Sequence, residues 1–174
     1  MDYTKPGIWN TTWSRSYLNY QKHHQVFWAK IRNKSFGKVL DLACGPACYW
    51  ENTDIDLYGC DFSDSAIVEA AKNNPKGHFL VDELPTNYYD GEEFDVVVMS
   101  RLINYYQNLT PFMEMVIKAL KKGGTILITI NVIDDFPSRH WDIDRINKEF
   151  KKYGQVEAEF VDRIGWFISL LTNK

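Results

Sequence analysis

The sequence has no stretch near the ~20 consecutive apolar residues that a membrane span requires. Its opening, MDYTKPGIWNTTW, has neither the basic head nor the apolar centre of a secretory leader. These absences lead us to expect a soluble, unexported chain in the cytoplasm with no membrane partner. Cysteine is scarce. Cys44, Cys48 and Cys60 form an odd set with no CxxC pair and no histidine at ligand spacing, so reduced thiols are expected and a metal site is not. There is no surplus of positive charge either: the net charge is -3 and the lysines are scattered. Phosphate recognition generally shows as a basic face, so a nucleic-acid partner is not expected. Repeats and low-complexity tracts are absent. What is present is 174 residues, 45% of them hydrophobic, enough for one domain over 1–174 with a proper core. Residues 1–35 would form an N-terminal helical cover and 36–174 the core.

From Val39 onward, short apolar or β-branched runs alternate with segments of helical period, the signature of a βαβ sheet. The runs are KVLDLA, DLYGCDF, GHFLV, FDVVVMS and TILITI, and VVVM and ILITI are continuous enough to be covered on both faces at the sheet centre. SDSAIVEAAKNN reads as a helix capped by Ser63 or Asp64. TPFMEMVIKALKKGG reads as another, with Thr110 as cap, Pro111 at the first helical position and Gly123 and Gly124 past its cationic end. A helix from Asp142 to Tyr153 and two more strands, QVEAEFV and GWFISLLT, complete the pattern. The last two are joined too closely for a parallel crossover, so they must be antiparallel. Upstream, Trp13, Tyr17, Tyr20, Phe27 or Trp28, and Ile31 recur at helical spacing, which predicts an amphipathic helix over Thr12 to Ile31 that either covers the core or acts as a lid.

The stretch VLDLACGPACYW carries the most chemistry. A strand ending in Asp41, a bend of small residues from Ala43 to Ala47 and a new helical pattern would bring backbone close to a ligand at the crevice of a parallel sheet. About twenty residues on, the second strand ends in Asp61, where an acid can accept hydrogen bonds from both ribose hydroxyls. A dinucleotide would need G-x-G-x-x-G to bring its pyrophosphate to a helix N-terminus, whereas A-C-G-P-A-C serves a ligand without phosphates. Ala43 and Ala47 are tolerable in such a bend if their φ values are negative. Cys44 reads as a small filler, not as a nucleophile.

VLDLACGPA, GCDFSDSAI, VDELP, FDVVVMSRLINYY and KALKKGGTILIT together resemble the class I S-adenosylmethionine-dependent methyltransferases. The resemblance is strong from Val39 to about Asn131. It implies a Rossmann-like three-layer α/β sandwich, a seven-stranded mostly parallel sheet with an antiparallel last strand, and S-adenosylmethionine as cofactor. It also implies that Asp41 helps hold the methionine ammonium with Ala43 and Gly45 supplying the tight turn, that Asp61 takes the ribose hydroxyls, that Phe62 lies against adenine with Asp82 and Glu83 at its edge, and that Cys44 and Ser63 belong to the same cofactor site. Ser100 and Arg101 would border the methyl group. The helix after the turn is about one turn shorter than usual, and VDELP is shorter than the family's pattern, so Asp82 could instead be a loop residue.

For the acceptor, RLINYY supplies Asn104, Tyr105 and Tyr106 where the family builds its pocket, and Trp9, Trp13 and Tyr17 add aromatic lining. His23, His24 and His140 are candidate bases, and His140, beside Arg139 and Trp141, together with Tyr105 is the pairing we favour for catalysis. The family's signatures for base amino groups (NPPY), cytosine C5 (Pro-Cys) and arginine (paired glutamates) are missing. The expected partner is therefore a small molecule, accepting methyl on O or N. Alternatives are a methyltransferase for nucleic acid or protein, a non-catalytic cofactor-binding subunit, and, disfavoured by the turn, a nicotinamide oxidoreductase.

Overall fold

The computed structural model describes residues 17–106, 108–132 and 141–174, with side chains from His24 onward. Seven strands form one sheet in the order β3-β2-β1-β4-β5-β7-β6. They are β1 (Lys38–Leu42), β2 (Asp56–Asp61), β3 (His78–Val81), β4 (Phe94–Ser100), β5 (Leu120–Asn131), β6 (Gly154–Val161) and β7 (Gly165–Thr172). The first five are parallel, and β7 runs antiparallel to both β5 and β6. The short β6–β7 connection puts Asp162 and Arg163 in left-handed backbone and closes with Ile164 N donating to Val161 O at 2.8 Å.

The period-2 alternation of the strands decides the layers. Leu40, Leu42, Val97, Met99, Ile126, Ile128, Ile168 and Leu170 point to one face, which α3 (Thr110–Ala119) and α4 (Ile143–Phe150) cover with Phe112, Met113, Val116, Ile146 and Phe150. Val39, Val96, Val98, Leu127 and Phe167 point to the other, covered by α1 (Tyr17–Lys34) through Phe27, Trp28 and Ile31 and by Ala70 of α2 (Asp64–Asn73). Within its described side chains α1 therefore covers core, and it runs on to Lys34; Thr12–Ser16 lie outside the described residues. Among the described residues no helix is long and apolar enough to cross a membrane.

Three boundaries differ from expectation. Thr110 is the first helical residue of α3, not its cap: Leu109 holds the cap position, Pro111 is second, and Asn108 Oδ1 accepts from Thr110 N at 3.0 Å. That helix ends at Ala119, before the lysines, because fully buried Leu120 pairs with Phe94 and starts β5, while Lys121 to Gly124 bulge out before pairing resumes at Val96 and Thr125. Helix α4 stops at Phe150, not Tyr153, and Asp142 caps it by accepting from Arg145 N at 2.8 Å. Ser63 does cap α2, accepting from Ala66 N at 3.3 Å.

Strand order reverses between β1 and β4, and a crevice outside the carboxyl ends of such neighbours is where open parallel sheets bind ligands. Asp41, Asp61, Asp82, Ser100 and Asn131 all stand at that edge.

Candidate active site

The turn after β1 is left-handed three times over, with φ of 55° at Ala43, 53° at Gly45 and 50° at Ala47. The expectation of negative φ at the two alanines is overturned. An L-residue in this region costs about 1–2 kcal/mol, so the conformation persists because the surroundings impose it. Cys44 N donates to Cys60 O at 3.0 Å, Gly45 N to Asp61 Oδ2 at 2.9 Å and Ala47 N to Cys44 O at 3.0 Å. The side-chain amides of Asn73 and Asn74, at the end of α2, donate to Pro46 O and Ala47 O, each at 2.8 Å. The bend leads into a single 3₁₀ turn, Cys48–Trp50. A turn that short offers no helix N-terminus to a pyrophosphate. Gly59 lies under the bend, where a Cβ would come within 3.0 Å of Cys44 Sγ and 2.9 Å of the Phe79 ring.

Asp41 is fully buried, and its hydrogen bonding is one-sided. Oδ2 accepts from the Tyr49 hydroxyl at 2.5 Å and from Trp50 Nε1 at 2.8 Å, while Oδ1 is buried without a partner among the described residues. Burial pushes this carboxyl up to about 7 against the pull of those two donors. Asp61 is tied to backbone on both oxygens, Oδ2 to Gly45 N and Oδ1 to Ser63 N, each at 2.9 Å, and burial holds it at about 6. An ionised carboxylate has about four acceptor positions, so each oxygen of Asp61 keeps capacity for another donor. Burial also raises the Cys44 and Cys60 thiols well above their usual range, which removes them as nucleophiles.

Phe62 is half-buried beside Asp61, and Ser63 spends its hydroxyl on the helix cap. Asp82 turns its carboxylate into its own loop, accepting from Glu83 N at 2.8 Å and from the Thr86 hydroxyl, while its N–H donates to Asp61 O. Glu83 is exposed, and with Asp61 it helps burial raise the Tyr106 phenol, which packs on Phe112 with ring centroids 4.2 Å apart. After β4, Arg101 adopts φ 59°, its N–H donates to Thr129 O at 3.0 Å, and its Nη1 lies 3.1 Å from Nε2 of buried His24 on α1. The Ser100 and Thr129 hydroxyls are 3.1 Å apart. Asn104 Nδ2 donates to Asn131 O at 3.0 Å, and its Oδ1 is buried without a partner among the described residues; Tyr105 next to it is half-buried. Trp9, Trp13, Arg139 and His140 lie outside the described residues, and of Tyr17 and His23 only the backbone, in α1, is described. Among the described residues no three potential ligands come together to hold a metal ion.

A family model described as a methyltransferase domain matches residues 33–166. The chain belongs to that family. Its members use S-adenosylmethionine, and the donor set fits that cofactor: a buried, unpartnered carboxylate oxygen suits an ammonium group, and the bend lets backbone approach. This methyltransferase domain is 22% identical over 133 residues to a malonyl-[acyl-carrier protein] O-methyltransferase of Enterobacter lignolyticus, covering 71% of the chain and 53% of the relative. It is 26% identical over 142 residues to a ubiquinone biosynthesis O-methyltransferase of Rickettsia bellii, covering 74% and 50%. The chain thus spans about half the length of these curated relatives. Its fold is that of the solved DhpI–S-adenosylhomocysteine complex, with a TM-score of 0.79 at 15% identity, covering 97% of this chain and 95% of that one.

Tyr49 and Trp50 went unnoticed in the sequence because they read as the apolar stripe of a helix. The signal was their place, eight and nine residues after an aspartate that would otherwise be buried without donors. Asn73 and Asn74 likewise look like an ordinary helix end.

Proposed function

We propose that this chain is an S-adenosylmethionine-dependent methyltransferase that transfers a methyl group to an O or N atom of a small-molecule acceptor, as one domain over 1–174 working in the cytoplasm. The observation that carries the reading is the pair of buried aspartates, Asp41 one residue before the end of β1 and Asp61 at the end of the adjacent parallel β2, around a tight bend. The two relatives' names favour oxygen as the acceptor atom.

In this reading Asp41 receives the cofactor's ammonium group, the backbone of Ala43, Cys44 and Gly45 makes the close approach, and Asp61 with Ser63 N–H organises the ribose side. Phe62 lies against adenine. Because Asp82 spends its carboxylate inside the loop, the adenine edge falls to Glu83. S-adenosylmethionine supplies a methyl group activated on a sulfonium. The chain's own work is to align the acceptor in line with that methyl, exclude water and accept a proton where the acceptor is a hydroxyl. Ser100 and Arg101 border the methyl, Trp13, Tyr17, Asn104 and Tyr105 hold and orient the acceptor, and His140 takes the proton.

The test is transfer of an isotopically labelled methyl group from S-adenosylmethionine into small-molecule, protein and RNA fractions of a cell extract. Label in the small-molecule fraction supports the reading. Label confined to protein or RNA overturns the acceptor class. No label in any fraction, with cofactor binding intact, makes the chain a binding subunit.

A further inference from the structure

The two donors to Asp41 are unusual company for a strand-end acid. Both grip the same oxygen, and both are immobilised: Tyr49 is 7% exposed and stacks on Trp28 of α1 with ring centroids 5.6 Å apart, and Trp50 is 1% exposed. Two bonds to Oδ2 fix rotation about the Cβ–Cγ bond, so Oδ1 is held in one place, buried and without a partner among the described residues. A fully desolvated oxygen with no donor is costly unless a ligand or a proton occupies it. We propose that Tyr49 and Trp50 are positioning residues for cofactor capture: they grip one oxygen of Asp41 so that the other meets the cofactor's ammonium group, and binding displaces a proton from Asp41. This rests on the assignment of Asp41 to the ammonium group under the proposed function.

The surroundings agree. The titratable groups that act on Asp41 among the described residues are Tyr49, Cys44 in the bend, and Cys60 and Asp61 on β2; on β4 it is flanked by apolar Val98. None of them brings a positive charge. Burial holds Asp41 at about 7, so below neutral pH the free protein carries a proton there. An ammonium group at Oδ1 provides the missing counter-charge and favours the carboxylate, so the proton leaves to solvent.

The probe is S-adenosylhomocysteine, titrated calorimetrically at pH 6 and pH 8 in pairs of buffers differing in ionisation enthalpy. Wild type should release a proton on binding at pH 6 and much less at pH 8. Tyr49→Phe keeps the ring and its stacking but removes one donor to the carboxylate. If that raises Asp41 by about one pKa unit, affinity falls about tenfold at pH 6 and about twofold at pH 8. Melting curves at both pH values establish that the variant is folded, and Trp50→Phe provides a second variant with the same expectation. A loss equal at both pH values, or binding by wild type without proton release, overturns the proposal while leaving the methyltransferase reading intact. Failure of wild type to bind at either pH overturns the reading itself.

Discussion

Replacing Asp41 by Asn keeps the shape of the side chain and an oxygen to accept from Tyr49 and Trp50, but removes the charge. In the wild type, burial raises the folded-state carboxyl from an ordinary value near 3.8 to about 7. The folded state therefore binds more protons than the unfolded one across that window, and this group's contribution to stability is present at low pH and is lost as pH rises from about 4 to about 7. About three pKa units at about 1.4 kcal/mol each give a penalty of about 4 kcal/mol above neutral pH. Asp41→Asn escapes it. In the absence of cofactor the variant should match wild type near pH 4, gain on it steadily to pH 7, and stay above it by about 4 kcal/mol at pH 8, or about 10 °C in melting temperature for a chain of this size. Differential scanning calorimetry across pH 4 to 8 measures this. Parallel curves, or a variant less stable than wild type at pH 8, would show that Asp41 is ionised at no cost and refute the reasoning. The same variant should bind S-adenosylhomocysteine far more weakly, so stability and binding would move in opposite directions.

Other substitutions separate the site from its scaffold. Asp61→Ala should weaken cofactor binding by about 1.5–3 kcal/mol through lost charge-assisted hydrogen bonds; unchanged affinity in a folded variant removes Asp61 from the site. Ala43→Gly relieves a left-handed alanine but adds unfolded-state freedom, so chemical denaturation should show a change between zero and about 1 kcal/mol of stabilisation; a larger loss would mean that the methyl group itself is needed. Gly37→Ala would put a Cβ 2.3 Å from Asp95 Oδ2, at φ 64°, and disturb the bonds Asp95 receives from Lys38 N and Lys121 Nζ at the far end of the sheet. It should cost about 2–3 kcal/mol of stability and leave cofactor affinity unchanged. His140→Ala should leave cofactor affinity intact and lower turnover; wild-type turnover would exclude it as base.

The sheet was legible because its evidence is local and repeated. Apolar runs such as VVVM and ILITI announce buried strands, and the short gap between the last two runs allows only an antiparallel return. Ser63 was legible as a cap for the same reason. The backbone of the bend was not, because the left-handed state of Ala43 and Ala47 is imposed by partners distant in sequence, such as Asn73, Asn74 and the carbonyl of Cys60. Strand pairing likewise overrode the cationic helix end at Lys121 and Lys122, since burying Leu120 against β4 outweighs one more helical turn. Asp41 and Asp61 could be picked out as acids at matching strand ends. That one is gripped by neighbouring aromatics and the other by backbone depends on three-dimensional packing alone.

The most direct test of Asp41 as the cofactor's anchor is a side-by-side calorimetric titration of wild type and Asp41→Asn with S-adenosylhomocysteine at pH 8. Wild type should bind in the micromolar range and the variant should lose binding, although it is the more stable protein. Equal binding by both, or none by wild type, would contradict that role.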